Sequence, residues 1–136
     1  METAVQARSS QPSAVLLVAV GGVLGTLARW GLSQLVPAHG GWPLPTLLVN
    51  LVGAFCLGLL LESLLRAGQD VGRRRSARLL LGTGLLGSFT TMSSLATELV
   101  LLAKQPLVAV GYGVTSLVGG LLMAWGGIVL AARRRS

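Results

Sequence analysis

The residues best suited to chemistry lie in one stretch, Leu79-Leu-Leu-Gly-Thr-Gly-Leu-Leu-Gly-Ser-Phe-Thr-Thr-Met-Ser-Ser-Leu-Ala-Thr-Glu98. It sets three glycines ahead of six hydroxyl residues between Ser88 and Thr97. Hydroxyls compete for nearby carbonyls and glycine weakens a helix, so residues 87–94 are a candidate break at membrane depth. Such a break is tolerated inside protein or beside a cavity. There freed carbonyls can coordinate a cation and freed N–H groups can face an anion. The alternative is a continuous helix whose hydroxyls are satisfied internally. Arg29 and Asn50 are the other costly residues, because a cationic side chain near mid-membrane costs about 2.5 to 3.5 kcal/mol on insertion scales and faces protein or water. Arg29 could also snorkel toward the interface. Guanidinium and amide groups are donors, and donors suit an anion.

Other chemistries find no support. The sequence shows no paired carboxylates, no Ser-His-Asp set and no phosphate loop, so no enzyme is expected. Cys56 is single and sits in an apolar run, where it reads as a small packing residue. His39 is also single, in a Gly/Pro-rich turn without nearby acidic or thiol partners, and implies no metal site. Glu98 could pair with Lys104 or sit at the outer interface, and Glu62 reads as structural.

The elements that must position these groups are membrane helices. Of 136 residues, 52% are hydrophobic and 11% charged, against roughly a quarter charged in a soluble domain. A spanning helix needs about 20 mostly apolar residues. Four blocks supply them, at about residues 14–36, 44–65, 79–103 and 107–132, forming a single all-α membrane domain over 14–132. The first block is too long for a signal-peptide core and runs on without a convincing cleavage site. Residues 1–13 read as a polar, disordered tail and 133–136 as a basic one. The turn before the second span is dense in helix breakers and carries Trp42, which suits a membrane interface. Gly21 with Gly25, Ala54 with Gly58, and Gly119 with Gly120 are placed for close helix packing.

Charge sets the orientation. The formal net charge of +7 raises nucleic-acid binding, but the arginines cluster at the ends of apolar segments with almost no aromatics among them, so no nucleic acid is expected. With four spans, Arg8, Arg66, Arg73, Arg74, Arg75, Arg78, Arg133, Arg134 and Arg135 share one side and Lys104 takes the other. That side is cytoplasmic by the positive-inside rule, which places both termini in the cytoplasm of a multi-pass cell-membrane protein.

Three blocks in order resemble the Fluc/CrcB family of fluoride channels, across essentially all four spans. They are Gly21-Gly-Val-Leu-Gly-Thr-Leu-Ala-Arg-Trp30, Thr46-Leu-Leu-Val-Asn-Leu-Val-Gly-Ala-Phe-Cys-Leu-Gly58 and Gly84-Leu-Leu-Gly-Ser-Phe-Thr-Thr-Met-Ser-Ser-Leu-Ala-Thr-Glu98. The third is the most specific. The resemblance implies an antiparallel dimer of four-span subunits, the third helix broken, with two fluoride pathways and a central structural Na⁺ that is not transported. It implies Na⁺ ligation by the backbone carbonyls of Gly87 and Thr90, with Asn50 as pore amide and Arg29 as vestibule cation. Thr91, Ser94, Tyr112 and Ser116 would then offer hydroxyl contacts to fluoride. Family members usually carry phenylalanine where this chain has Met92 and Leu95, so two ring edges that could face an anion are replaced. Phe55 is kept, Phe89 occupies a different motif position, and Gly120 stands where a further hydroxyl is expected.

Antiparallel pairing requires a partner of opposite orientation, and a nine-to-one basic bias keeps copies of this chain from supplying it. A heterodimer with an oppositely oriented family paralogue is therefore expected. Two alternatives are a small proton-coupled multidrug exporter and a non-conducting membrane scaffold. The exporter needs a membrane-embedded carboxylate, where the first span offers Arg29.

Overall fold

The computed structural model describes residues 2–37 and 40–134, with side chains from Ser13 onward; His39, Arg135 and Ser136 lie outside the described residues, as does the side chain of Arg8. The described backbone is helical: α1 (Glu2–Leu35), α2 (Leu44–Arg66), α3 (Arg73–Ala77), a π-helical segment (Arg78–Leu86), α4 (Gly87–Phe89), α5 (Met92–Leu101), a 3₁₀ turn (Leu102–Lys104) and α6 (Pro106–Arg133). Four stretches are long and apolar enough to cross a membrane: Ser13–Leu35, Leu44–Arg66, Arg73–Lys104 and Pro106–Arg133. The third starts ahead of its apolar block because Arg73 to Arg75 already wind the helix. The helix α1 takes in residues 2–12 of the polar leader, whose Ala and Gln residues extend a helix that the apolar span behind them nucleates.

Helix starts are written in proline and turns in glycine. Pro45 and Pro106 stand in the first turn of α2 and α6, where the missing N–H costs no intrahelical bond. Gly68 and Gly72, at φ 115° and 56°, turn the chain between the second and third spans. In that loop Arg78 grips Asp70 at 2.7 Å, and Arg66 pairs with Glu62 one turn back on α2.

The spans pack as two close pairs. A Cβ added at Gly21 would lie 2.1 Å from the carbonyl oxygen of Leu80, and one at Gly25 2.0 Å from that of Leu85, so α1 lies backbone to backbone on the π segment. Likewise Gly58 meets the Ala124 carbonyl and Gly127 that of Phe55, each with 2.2 Å for an added Cβ, which joins α2 to α6. With little hydrophobic drive between helices in lipid, van der Waals contact at this range is what holds such pairs. Gly119 meets the Leu51 side chain, whereas Gly120 faces open space. Contacts advance along both partners of each pair together, so the ends bearing Arg66 and Arg133 come to one end of the bundle.

The inward core is small and sits toward the other end, where Leu47, Leu95 and Tyr112 pack with Trp42, Leu44, Leu51, Leu99 and Leu102. The Trp42 and Tyr112 rings meet edge-on, 5.9 Å apart. Within an apolar 18-residue stretch of each span only 11% to 28% of the residues are buried within the chain, so most of its apolar surface must be met by lipid or another subunit.

The paired glycines yield a first prediction. Gly25→Ala and Gly58→Ala should each destabilise the protein by about 1–3 kcal/mol, as overpacking does. Gly31→Ala, where an added methyl group meets nothing within 4 Å, should be neutral or stabilising. Thermal unfolding of the purified protein in detergent reads the difference, and equal effects at all three positions would refute close packing as the cause.

Candidate functional site

The third span is broken at Thr90 and Thr91. Both residues are extended, at φ −77°, ψ 157° and φ −150°, ψ 112°, between the end of α4 and the start of α5. In an unbroken helix the Thr91 N–H would donate to the Gly87 carbonyl and the Ser94 N–H to that of Thr90. Both donors are diverted. Thr91 N–H donates to Asn50 Oδ1 at 2.8 Å, while Asn50 Nδ2 donates back to the Thr91 carbonyl at 3.0 Å. Because Thr91 presents one donor and one acceptor, it also dictates which way the amide faces. The Ser94 N–H turns to Thr91 Oγ1 at 3.1 Å, which makes Thr91 the N-cap of α5. Of the carbonyls that a helix end leaves open, those of Gly87 and Thr90 are thus opened by two named side chains. Thr90 looks backward, its N–H and its hydroxyl both donating to the Leu86 carbonyl at 3.1 Å.

One face of α2 holds the break. Asn50 stands four residues after Thr46 and three before Gly53, a spacing that places all three on one side of the helix. A Cβ added at Gly53 would lie 2.2 Å from the Thr90 methyl group, so the missing side chain lets α2 come up against the break.

Two cavities flank it. One of about 310 Å³ is lined by Arg29, Thr26, Ser33, Thr46, Thr91 and Ser94. The other, of about 410 Å³, is lined by Asn50, Thr90, Thr91, Leu95, Ser116 and Gly120, among others. Thr91 borders both. Its hydroxyl lies 3.1 Å from each of the Ser93 and Ser94 hydroxyls, and Ser94 shares the wall of the first cavity with it. Ser116 is 7% exposed, and its Oγ has no hydrogen-bond partner among the described residues. A buried hydroxyl left without a partner is costly, and this one borders the second cavity.

The remaining groups singled out from the sequence divide. Tyr112 is wholly buried and lines neither of these cavities; its hydroxyl donates to Glu98 Oε2 at 2.6 Å. Thr46 donates to Glu98 Oε1 at the same distance. Glu98 is therefore held by two hydroxyls inside the bundle rather than by Lys104, because a carboxylate in a dry span needs donors. At the replaced aromatic positions, Met92 is 68% exposed and Leu95, at 5%, belongs to the core, and both line the second cavity.

Thr46, Gly53 and Glu98 are the site residues that sequence reasoning missed. The signal for the first two is the Thr-x-x-x-Asn-x-x-Gly spacing on α2. For Glu98 none was available, since its partners stand 52 residues before it and 14 after.

Comparison with known proteins follows the same residues. Residues 16–128 match the family described as CrcB-like protein, Camphor Resistance (CrcB). The fluoride-specific ion channel FluC 1 of Cutibacterium acnes is 47% identical over 127 residues, covering 91% of this chain and 87% of the relative. FluC 2 of Leifsonia xyli subsp. xyli is 43% identical over 87% of this chain and 83% of its own length. A FluC of Gloeobacter violaceus is 45% identical over 85% and 94%.

The carboxylate clasp is open to a direct test. Tyr112→Phe removes one of two donors from Glu98 and should cost about 1–3 kcal/mol, the penalty for an under-satisfied buried group. Adding Glu98→Gln should recover part of that loss, because the two side chains act as a unit. Strict additivity in thermal unfolding would contradict a shared clasp.

Proposed function

The chain belongs to the CrcB family, and from that premise we propose that it is a subunit of a fluoride-specific ion channel that lowers cytoplasmic fluoride by passive export. The observation that carries the reading is the broken third span, with open carbonyls at Gly87 and Thr90 and a string of amide and hydroxyl donors beside them. Fluoride is small and strongly hydrated, so a route for it must replace water with donors without holding the ion tightly. Arg29 draws the anion into the first cavity, where Thr91 and Ser94 offer hydroxyls. In the second cavity Asn50 and Ser116 continue the route. Tyr112 serves it indirectly, by fixing Glu98. With two ring edges replaced at Met92 and Leu95, this subunit's own lining rests on amide and hydroxyl donors.

The family implies a structural Na⁺, and the residues here fit it. Hard cations take oxygen ligands, and the Gly87 and Thr90 carbonyls have lost their helical donors. Gly87 is exposed and Thr90 half-buried, so both are within reach of a second subunit that would bring an equal pair. Bound there, Na⁺ would neutralise the converging carbonyl dipoles and tie the two subunits at their breaks.

The assembly proposed is an antiparallel heterodimer with an oppositely oriented paralogue, both termini of this chain facing the cytoplasm. What supports it is the one-sided charge, together with a chain surface too apolar to stand without lipid or a partner. Liposomes holding this chain alone should show little fluoride efflux, and co-expression with such a paralogue should restore it. Full efflux from the chain alone would overturn the heterodimer; absence of efflux under every pairing would overturn the channel.

A further inference from the structure

We infer that Asn50 and Thr91 are positioning residues for the cation site: together they open it by keeping the Thr91 and Ser94 amide donors away from the Gly87 and Thr90 carbonyls. The inference rests on the channel reading and deepens it. A break alone does not create a cation site, because the nearest free N–H groups compete for any carbonyl that a helix end exposes. Here the two donors that an unbroken helix would aim at these carbonyls are occupied. Asn50 Oδ1 takes the Thr91 N–H at 2.8 Å and Thr91 Oγ1 takes the Ser94 N–H at 3.1 Å. The back-bond from Asn50 Nδ2 to the Thr91 carbonyl, at 3.0 Å, holds the amide in that orientation. Thr90, whose hydroxyl is tied to Leu86, cannot fold that hydroxyl forward over its own carbonyl. An asparagine amide carries two N–H donors, and the bond to Thr91 uses one. The other remains for the cavity that Asn50 lines, so one side chain both opens the cation site and meets the anion route.

Asn50→Ala removes the acceptor and returns that N–H to Gly87. Thr91→Val releases the Ser94 N–H to Thr90, whereas Thr91→Ser retains the cap.

The test is Na⁺-dependent thermal protection of the purified assembly, co-purified with its partner subunit, in NaCl against choline chloride, with fluoride efflux measured in parallel. Wild type and Thr91→Ser should be protected by Na⁺, while Asn50→Ala and Thr91→Val should need about ten-fold or more Na⁺ for the same shift. Asn50→Ala should lose both efflux and Na⁺ protection, and the second loss is one that no purely anion-binding role for Asn50 produces. Wild-type protection in both Asn50→Ala and Thr91→Val overturns the inference. Should Asn50→Ala not fold, the Thr91→Val and Thr91→Ser pair decides, and equal protection in those two overturns it as well. A wild-type assembly that exports fluoride without any Na⁺ protection overturns the cation site and this inference with it, and leaves the channel reading standing.

Discussion

The structure turns on one amide that grips both backbone polar groups of one residue. Asn50 closes a two-bond ring with the N–H and C=O of Thr91, and a break that would otherwise leave backbone groups unsatisfied at membrane depth becomes a fixed feature. In hydrocarbon each such group costs several kcal/mol by order of magnitude, so an irregular backbone inside a span needs a partner supplied from elsewhere. The second span supplies it. Around that contact the rest is arranged: Gly53 clears space for the Thr90 methyl group, Thr46 reaches the carboxylate of Glu98, and Tyr112 closes the clasp from α6.

The two tight helix pairs hold this arrangement in register. In both, a glycine sits against a carbonyl of the neighbouring backbone, so the pairs cannot slide without opening a gap or forcing a clash. The third span belongs to α1 through its π segment and touches α2 through the break, which places the irregular backbone where the two pairs meet. The outer surface is left apolar and largely uncovered. The proposed antiparallel partner would cover part of it, Gly87 and Met92 being among the exposed residues beside the break.

Much of this was legible from the residues. Four apolar blocks about as long as a bilayer is thick allow little but four spans, and the glycines and hydroxyls of the third announced its break. The width of that break was not legible: residues 87–94 are rich in helix-weakening types, yet only Thr90 and Thr91 are extended. Local composition shows where a helix can yield, whereas a contact from 41 residues away decides where it does. For the same reason Asn50 reads from sequence as a donor awaiting an anion and is found with half of its donor capacity spent on the backbone. Glu98 reads from sequence as a partner for Lys104 or a residue of the outer interface, and the two donors it takes come from other spans. Long-range partners leave no trace in periodicity.

The diversion of the two amide donors is most directly tested by isotope-edited infrared spectroscopy of the Gly87 and Thr90 carbonyls in the lipid-embedded assembly. Both bands should lie away from the α-helical position and move when Na⁺ replaces choline, while the Leu86 carbonyl, which accepts from Thr90, stays where it is. Bands at the ordinary helical position, indifferent to Na⁺, would contradict the account.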